Sequence, residues 1–223
     1  MHESTIAPTR VFGTPQGRAA VEPRSADWRQ ALPTLNGKLL TLRELAPMDS
    51  ADLLPLLTAD EVIRFLSPPP RSAERFADFI ESTRRERSAG RYAGFAIVPA
   101  GQRAAVGLVQ LRQLEPGFTT AEWGVAMGSA WWGRGLFEDA GRLLLDFAFQ
   151  TLGSHRIEAR VASQNARGIA AVAKLGGVAE GVLRRALLTA DGTRHDQVLW
   201  SWLDEDWRRP NRPLREERLS WVH

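Results

Sequence analysis

The passage from residue 121 to residue 148 constrains this chain more than any other part of it. Glu122-Trp123-Gly124-Val125-Ala126-Met127 has the alternation of a strand, and Leu136, Ala140, Leu143, Leu144, Phe147 and Ala148 recur at the spacing of one helix face. Between them lies Trp131-Trp132-Gly133-Arg134-Gly135. Glycines there let the backbone turn tightly and let a ligand approach it. The first turn of the helix that follows has free N–H groups aimed at the same space, with positive potential from the aligned peptide dipoles. Such a turn suits an anion, phosphate above all, and Arg134 can add a charge-assisted contact. The same residues also suit a tight strand–helix connection that binds nothing. The stretch does not fit a P-loop, having no Gly-Lys-Ser/Thr, nor a dinucleotide fingerprint, having no third glycine.

Around this passage the pattern alternates between helix and strand. Lys38–Leu45 reads as a first strand, and Asp49 is placed to cap a helix through about Leu57. Residues 59–66 suggest a short helix stopped by Pro68-Pro69-Pro70. Ser72 is placed to cap a longer helix with Phe76, Phe79, Ile80 and Thr83 on one face. Strands follow at about Tyr92–Val98, Ala105–Arg112 and Ala121–Met127, then a helix at about 137–152, a strand at Arg156–Val161 and a helix at Ala166–Leu175. Ala179–Leu188 and His195–Leu203 read as a hairpin joined through Ala190-Asp191-Gly192. The order β-α-α-α-β-β-β-α-β-α-β-β predicts one mixed α/β domain over residues 34–207. Residues 1–33, rich in Pro, Gly, Ser and Thr, read as a partly extended arm, with Trp28, Leu32 and Leu35 packing its end on the domain. Residues 208–223 read as a basic tail.

Composition removes several classes of chemistry. The chain has 223 residues and no cysteine, which excludes disulfides, thiol nucleophiles and thiolate metal sites. Its four histidines, His2, His155, His195 and His223, have no metal-ligand spacing, so no metal is expected. No apolar run nears the ~20 residues that span a bilayer, and no signal peptide is evident, so a cytoplasmic protein without a membrane partner is expected. The formal net charge is +3, carried almost wholly by arginine, since Lys38 and Lys174 are the only lysines. A mild positive excess suits a phosphate-bearing ligand, although most such arginines are solvated surface. The run Arg208-Arg209-Pro210-Asn211-Arg212 is soon interrupted by Glu216 and Glu217 and has no aromatic platform, so a solvated tail is expected there and not a nucleic-acid contact.

Taken in order, the motifs resemble those of the GNAT superfamily of acetyl-CoA-dependent N-acetyltransferases. Trp132 stands at the Gln/Arg position of the family's Gln/Arg-x-x-Gly-x-Gly/Ala motif, Gly135 at its invariant glycine and Phe137 at its final small residue. The Trp-Gly-Arg-Gly form is similar to the branch of ribosomal-protein alanine N-acetyltransferases. So are Ser163-Gln164-Asn165 with Lys174-Leu175-Gly176, Glu180-Gly181-Val182-Leu183-Arg184, Gly192-x-x-x-Asp196-x-Val198-Leu199-x-Ser201, Glu205-Asp206-Trp207 and the upstream Leu42-Arg43-Glu44-Leu45. Each motif is weak alone; their order and spacing over about residues 38–207 carry the resemblance. It implies a single GNAT-like domain built on a central, mostly antiparallel sheet of about seven strands flanked by helices.

The resemblance further implies acetyl-CoA as acetyl donor and direct attack on its thioester by a primary amine, from a small molecule or a protein N-terminus. The loop of Trp132, Gly133, Arg134, Gly135, Leu136 and Phe137 would hold the pyrophosphate. The backbone of Val125, Ala126 and Met127 would pair with pantetheine like an extra strand, and an N–H there could polarise the thioester oxygen. Asn165 would lie near the pantetheine or thiol, a role compatible with capping its own helix. Glu122 is the candidate general base, with orienting substrate or pairing with an arginine as the alternative.

Three departures bear on mechanism. Val172 stands where many relatives carry the tyrosine that protonates the CoA thiolate; Gly168 replaces the usual Ser, and Gly177 the usual Phe. The one tyrosine, Tyr92, lies far away in sequence. The acid is therefore water, another hydroxyl such as Ser163, or absent. His155 is expected to cap a helix end or meet solvent, and most of the eight tryptophans to pack. A catalytically reduced CoA-binding or ribosome-contacting protein is the alternative function. The oligomeric state stays open, a homodimer included.

Overall fold

A computed structural model describes residues 27–67 and 69–208. Eight strands form one sheet: β1 (Leu35–Asn36), β2 (Leu40–Glu44), β3 (Tyr92–Pro99), β4 (Gly107–Gln113), β5 (Thr120–Met127), β6 (Arg156–Ala162), β7 (Val178–Leu188) and β8 (Arg194–Leu203). The spatial order is β1-β2-β3-β4-β5-β6-β8-β7. Every neighbouring pair is antiparallel except β5 and β6, which run parallel. A parallel pair needs a crossover. Here α4 (Leu136–Asp146) and the π-helical turn Phe147–Leu152 supply it. The remaining helices are α1 (Ser50–Leu57), α2 (Asp60–Ile63), α3 (Ala73–Ser88), α5 (Ala166–Lys174) and α6 (Asp204–Trp207).

Alternation along the strands divides the apolar residues into two cores, one on each face of the sheet. On one face Phe95, Ile97, Val109, Leu111, Ala121 and Trp123 pack with Leu136, Ala140 and Leu144 of α4 and Val172 of α5. On the other, Ala96, Val98 and Leu108 pack with Leu53 and Leu57 of α1 and Phe76 and Ile80 of α3. β3 is buried along its whole length because helices cover both of its faces; its sequence is accordingly apolar with little alternation. Ser72 caps α3 by accepting from the Arg75 N–H.

The mixed α/β fold agrees with the sequence reading, with eight strands where about seven were expected. The additional one is β1, two residues long and too short to carry a pattern. The first full strand begins at Leu40 because Gly37 and Leu40 close the turn before it, the Gly37 N–H donating to the Leu40 carbonyl. Asp49 stands at the N-cap of α1 without capping it. Its carboxylate is taken by Arg43 and by the Ala46 N–H. The helix expected over 137–152 changes to a π turn at Phe147, which leaves the consecutive residues Phe147, Ala148 and Phe149 all buried. Gly153, at φ 73°, ends it.

Trp28 and Leu32 are buried, so the stretch from residue 27 packs on the domain as expected. The Trp28 ring meets Phe118 edge-on at 5.4 Å. Arg87, itself buried, donates to the carbonyls of Trp28 and Arg29 and pairs with Glu44 at 2.7 Å. It thus tethers this segment to α3. The expected extended arm over residues 1–26 and the tail over 209–223 lie outside the described residues. Among the described residues no helix is long and apolar enough to cross a membrane.

Candidate active site

β5 and β6 run side by side only as far as Trp123 and Ala159. Beyond that point Gly124–Met127 stays paired with Gly107–Gln110 of β4, and Arg160–Ala162 with Gln197–Leu199 of β8, but not with each other. The two strands are held by their outer neighbours, so their inner edges part. A cleft of about 770 Å³ opens on one side of the parting, and a groove of about 340 Å³ on the other. Val125, Ala126, Phe137, Asn165 and Gly168 line both, so the two are continuous through the parted strands.

The groove runs over the glycine loop. Gly133 and Gly135 have φ of 72° and 80°, in the left-handed region that residues with a Cβ adopt at a cost. A Cβ built on Gly133 would meet nothing within 4 Å, so the space above this backbone is open to a ligand. Gly135 is the N-cap of α4 and brings no capping side chain. Its carbonyl accepts from the Asp139 N–H, while the N–H groups of Leu136, Phe137 and Glu138 have no protein acceptor among the described residues. Three adjacent donors without acceptors at the start of an amphipathic helix fit the anion cradle the sequence suggested. The Leu136 side chain is buried, and Leu136 is not among the residues that line the groove. Asp139 accepts from the N–H groups of Lys38 and Leu39, which fastens the β1–β2 turn beside the loop.

The two tryptophans brace this loop. The Trp132 indole N–H donates to the Met127 carbonyl at 3.0 Å. The Arg167 guanidinium lies over the Trp132 ring, and that of Arg134 lies 5.0 Å from the centre of the Trp131 ring. Arg134 does not line the groove itself, whereas Arg167 and Lys174 do. Lys174 bridges to Glu138, whose carboxyl is held below its ordinary range by Lys174 and Arg142. Val125, Ala126, Met127, Trp132, Gly133, Gly135 and Phe137 all line the groove.

On the cleft side stands Glu122. Register places it between Arg112 of β4 and Glu158 of β6. Arg112 binds one oxygen of its carboxylate, and the Arg160 guanidinium lies 3.9 Å from the other. The alternative of pairing with an arginine is thus realised, and the second oxygen remains the better placed to receive a proton. Nearby, Gln110 lines the cleft and lies against Gly124. Its side-chain oxygen accepts from the buried Tyr92 hydroxyl. Tyr92 therefore stands one residue behind the cleft wall, and burial raises its phenol well above the usual value.

Asn165 caps α5, accepting from the Gly168 N–H at 3.0 Å, and also lines the cleft and the groove. Val172, which stands where many relatives carry a tyrosine, is buried and lines the cleft. Ser163 lines neither space; its N–H donates to the Asp196 carbonyl. The expectation of Ser163 as a thiol-side hydroxyl thus finds no geometric support. His155 is exposed and 3.4 Å from Asp204. Trp200 and Trp202 are buried, as packing residues should be.

The sequence reading missed Gln110, Arg112, Arg160 and Arg75. The first two alternate on one face of a recognised strand, a signal that was present, but only the β4–β5–β6 register brings them to Glu122. Lys174 was noticed as part of a motif without a role.

A family model described as "Acetyltransferase (GNAT) domain" matches residues 40–178. The chain belongs to the GNAT acetyltransferase family. It is an acyltransferase. A curated relative, the "Uncharacterized N-acetyltransferase p20" of Bacillus licheniformis, is 28% identical over 153 residues, covering 68% of this chain and 85% of that protein. The "Putative ribosomal N-acetyltransferase YdaF" of Bacillus subtilis is 27% identical over 175 residues, covering 75% of this chain and 93% of that protein. The solved structure "Mycobacterium smegmatis RimJ in complex with CoA-disulfide" has the same fold, with a TM-score of 0.72 at 24% identity, covering 81% of this chain and 90% of that one.

Proposed function

We propose that this GNAT acetyltransferase takes acetyl-CoA as donor and a primary amine, on a protein N-terminus or a small molecule, as acceptor. The observation that carries the reading is the passage between the parted strands: it joins a groove floored by three free helix N–H groups to a cleft holding one carboxylate, Glu122. The donor's pyrophosphate fits over Gly133–Glu138, with Arg167 and Lys174 as flanking cations. The backbone edge of Val125 and Ala126 is free to bind an extended chain as an added strand. Asn165 offers an amide group at the same passage, its oxygen already engaged in capping.

The reaction is attack of the amine nitrogen on the thioester carbonyl. A C–N bond forms, the C–S bond breaks, and the amine loses a proton. Glu122 receives that proton directly or through water, while Arg112 fixes the carboxylate in place. Water protonates the departing thiolate, because the cleft lining has Val172 where many relatives carry a tyrosine. A thiolate leaves readily near neutral pH without an acid. The catalytic domain covers residues 34–207.

A CoA-binding protein without turnover is the second reading, and Val172 is the observation in its favour. The test is a panel of amines and N-terminal peptides assayed for CoA release from acetyl-CoA. Release that depends on an added amine supports catalysis; CoA binding without release supports the second reading.

A further inference from the structure

Both spaces have aromatic walls, but Arg75, Phe76 and Phe79 line the cleft and not the groove. The cleft wall is apolar and largely aromatic, from Leu57 of α1, Phe65 beyond α2, and Phe76 and Phe79 of α3. Phe76 and Phe79 meet edge-on at 5.9 Å and so present a rigid surface. Set into this wall is Arg75, in the first turn of α3. No carboxylate lies within ion-pair distance of Arg75 among the described residues, although Arg84, Arg87, Arg91, Arg112, Arg142, Arg156 and Arg208 all have such partners. Across the cleft, Glu122 is the one acidic residue of the lining, and its charge is already met by Arg112 and Arg160. The lining itself carries two arginines, Arg75 and Arg160, against one glutamate, which leaves it positive.

The β7–β8 hairpin lies beyond β6 in the sheet, and none of its residues lines the cleft among the described residues. β8 begins at the end of β6 from which the cleft opens, since Ala162 pairs with Gln197 and the Ser163 N–H donates to the Asp196 carbonyl. The hairpin carries Arg184, Arg185 and Arg194, all exposed and without a carboxylate within ion-pair distance among the described residues. Asp196 is spent on the backbone: its carboxylate accepts from the Arg185 N–H at 2.7 Å and holds that residue at φ 52°. A cleft with low-dielectric aromatic walls whose lining carries two arginines against one glutamate attracts anions and repels cations.

Building on the acetyltransferase reading above, we infer that the acceptor is an amine carrying an apolar group together with an anionic one, and that Arg75 is the residue that selects for the negative charge. The apolar group packs on Phe76 and Phe79, and the anion meets the unpartnered guanidinium. Polyamines and lysine-rich N-termini are disfavoured by the same field. Because Arg75 is exposed, its effect on preference is modest and falls with salt.

The test uses the full chain saturated with CoA. Matched acceptors are titrated calorimetrically: phenylalanine against phenylalaninamide, the dipeptide amides Phe-Glu against Phe-Gln, and spermidine as a cation. The same compounds are assayed for CoA release from acetyl-CoA. The anionic member of each pair is expected to bind about fivefold more tightly than its neutral partner, the size of one partly screened charge contact. Arg75→Gln brings that ratio close to one, Arg75→Lys keeps most of it, and added salt lowers it in the unsubstituted protein. Equal affinities within the pairs, preference for spermidine, absence of acceptor binding, or a ratio unmoved by Arg75→Gln overturns the inference. Preferential binding without turnover leaves it standing and sinks the catalytic reading. Turnover without preference does the opposite.

Discussion

Trp132 and Met127 are joined by a hydrogen bond from the indole N–H to the backbone carbonyl, 3.0 Å long. The bond ties the start of the glycine loop to the end of β5. It occupies the Met127 carbonyl, so the edge free to receive an extended ligand lies at Val125 and Ala126. Trp132→Phe keeps a ring beneath Arg167 but removes the donor. Loss of one such bond is worth about 1 kcal/mol. CoA affinity is expected to fall about fivefold with the thermal midpoint little changed. An unchanged Kd by calorimetry would show that the loop keeps its shape without this tie.

A second approach on the same strand is tighter. A Cβ on Gly107 would stand 2.5 Å from the Ala126 carbonyl oxygen and 2.9 Å from the Met127 Cα. Both are backbone atoms and cannot swing away, so Gly107→Ala must displace the end of β5. It is expected to weaken CoA binding at least tenfold and to destabilise the fold by about 1–3 kcal/mol, the usual range for overpacking. Gly133→Ala is the contrasting case. Its Cβ meets no protein atom, and its φ is 72°. Its stability loss is expected to stay near 1 kcal/mol, the scale of left-handed strain in a residue with a Cβ. Denaturant melts of the two variants, with CoA titrations, separate strand displacement from loop strain.

Much of the donor side was legible in the sequence because it is local. The strand, the glycine turn and the amphipathic helix are consecutive, and their chemistry follows from residues 121–148 read in order. The acceptor side was not, because it is assembled from α1, α3, β4, β5 and β6. Nothing near Glu122 in sequence announces Arg112 or Arg160; those partners follow from strand register, which one chain's pattern leaves open. The π turn at Phe147 escaped notice for a related reason. Leu143, Leu144, Phe147 and Ala148 satisfy an ordinary helical period, and only the burial of Phe149 beside them shows the wider turn. Arg75 has no neighbouring motif to mark it, and only the assembled cleft gives it a place.

Glu122→Gln tests the proton acceptor. The amide preserves size but accepts a proton far less readily, and it no longer balances Arg112 and Arg160. The expected loss in kcat is about 10²–10⁴-fold, the range for a positioned general base, with the Michaelis constant for acetyl-CoA changed far less. A fall of under about threefold in steady-state rates would leave Glu122 as an anchor for the two arginines.

The edge of the sheet provides a stability test in acid. Arg156 grips both oxygens of Glu180, at 2.8 and 2.5 Å, and the Ser201 hydroxyl donates to the same carboxylate at 2.6 Å. Arg156 foremost, and Ser201 with it, hold the Glu180 carboxyl below its ordinary 4.5. A depressed carboxyl stabilises the fold fully above its unfolded value and loses that contribution as pH falls through the folded one. Glu180→Gln is therefore expected to be less stable than the unsubstituted protein at pH 7. The gap is about 1 kcal/mol or less, since the side chain is 36% exposed. It should begin to narrow as pH falls below the ordinary carboxyl value and close as pH passes through the lower folded one. A gap that does not narrow at all as pH falls through and below the ordinary carboxyl value in denaturant melts would assign the effect to packing.

Tyr92 offers the last test, because it separates a catalytic phenol from a structural one. The hydroxyl donates to Gln110 and sits behind the cleft wall, and burial raises its pKa above the ordinary 10.0. Two consequences follow. Within the range where the enzyme is assayed the phenol stays protonated, so it contributes no descending limb to the rate profile. Tyr92→Phe should leave the shape of kcat/KM against pH unchanged up to about pH 10, and lower its height no more than about threefold, through a less firmly held Gln110. The second consequence concerns stability. In the unfolded chain the phenol ionises near its ordinary value, while in the folded protein it does not. The unfolded state therefore sheds a proton that the folded state keeps, and stability is lost as pH rises above about 10. Tyr92→Phe has no such proton to shed, so its melting temperature should fall less steeply above pH 10 than that of the unsubstituted protein. Parallel alkaline limbs would mean that Tyr92 is not buried as the structure has it. A rate loss of a hundredfold with intact CoA binding would mean that this tyrosine reaches the departing thiolate after all, and that Val172 did not leave the reaction to water.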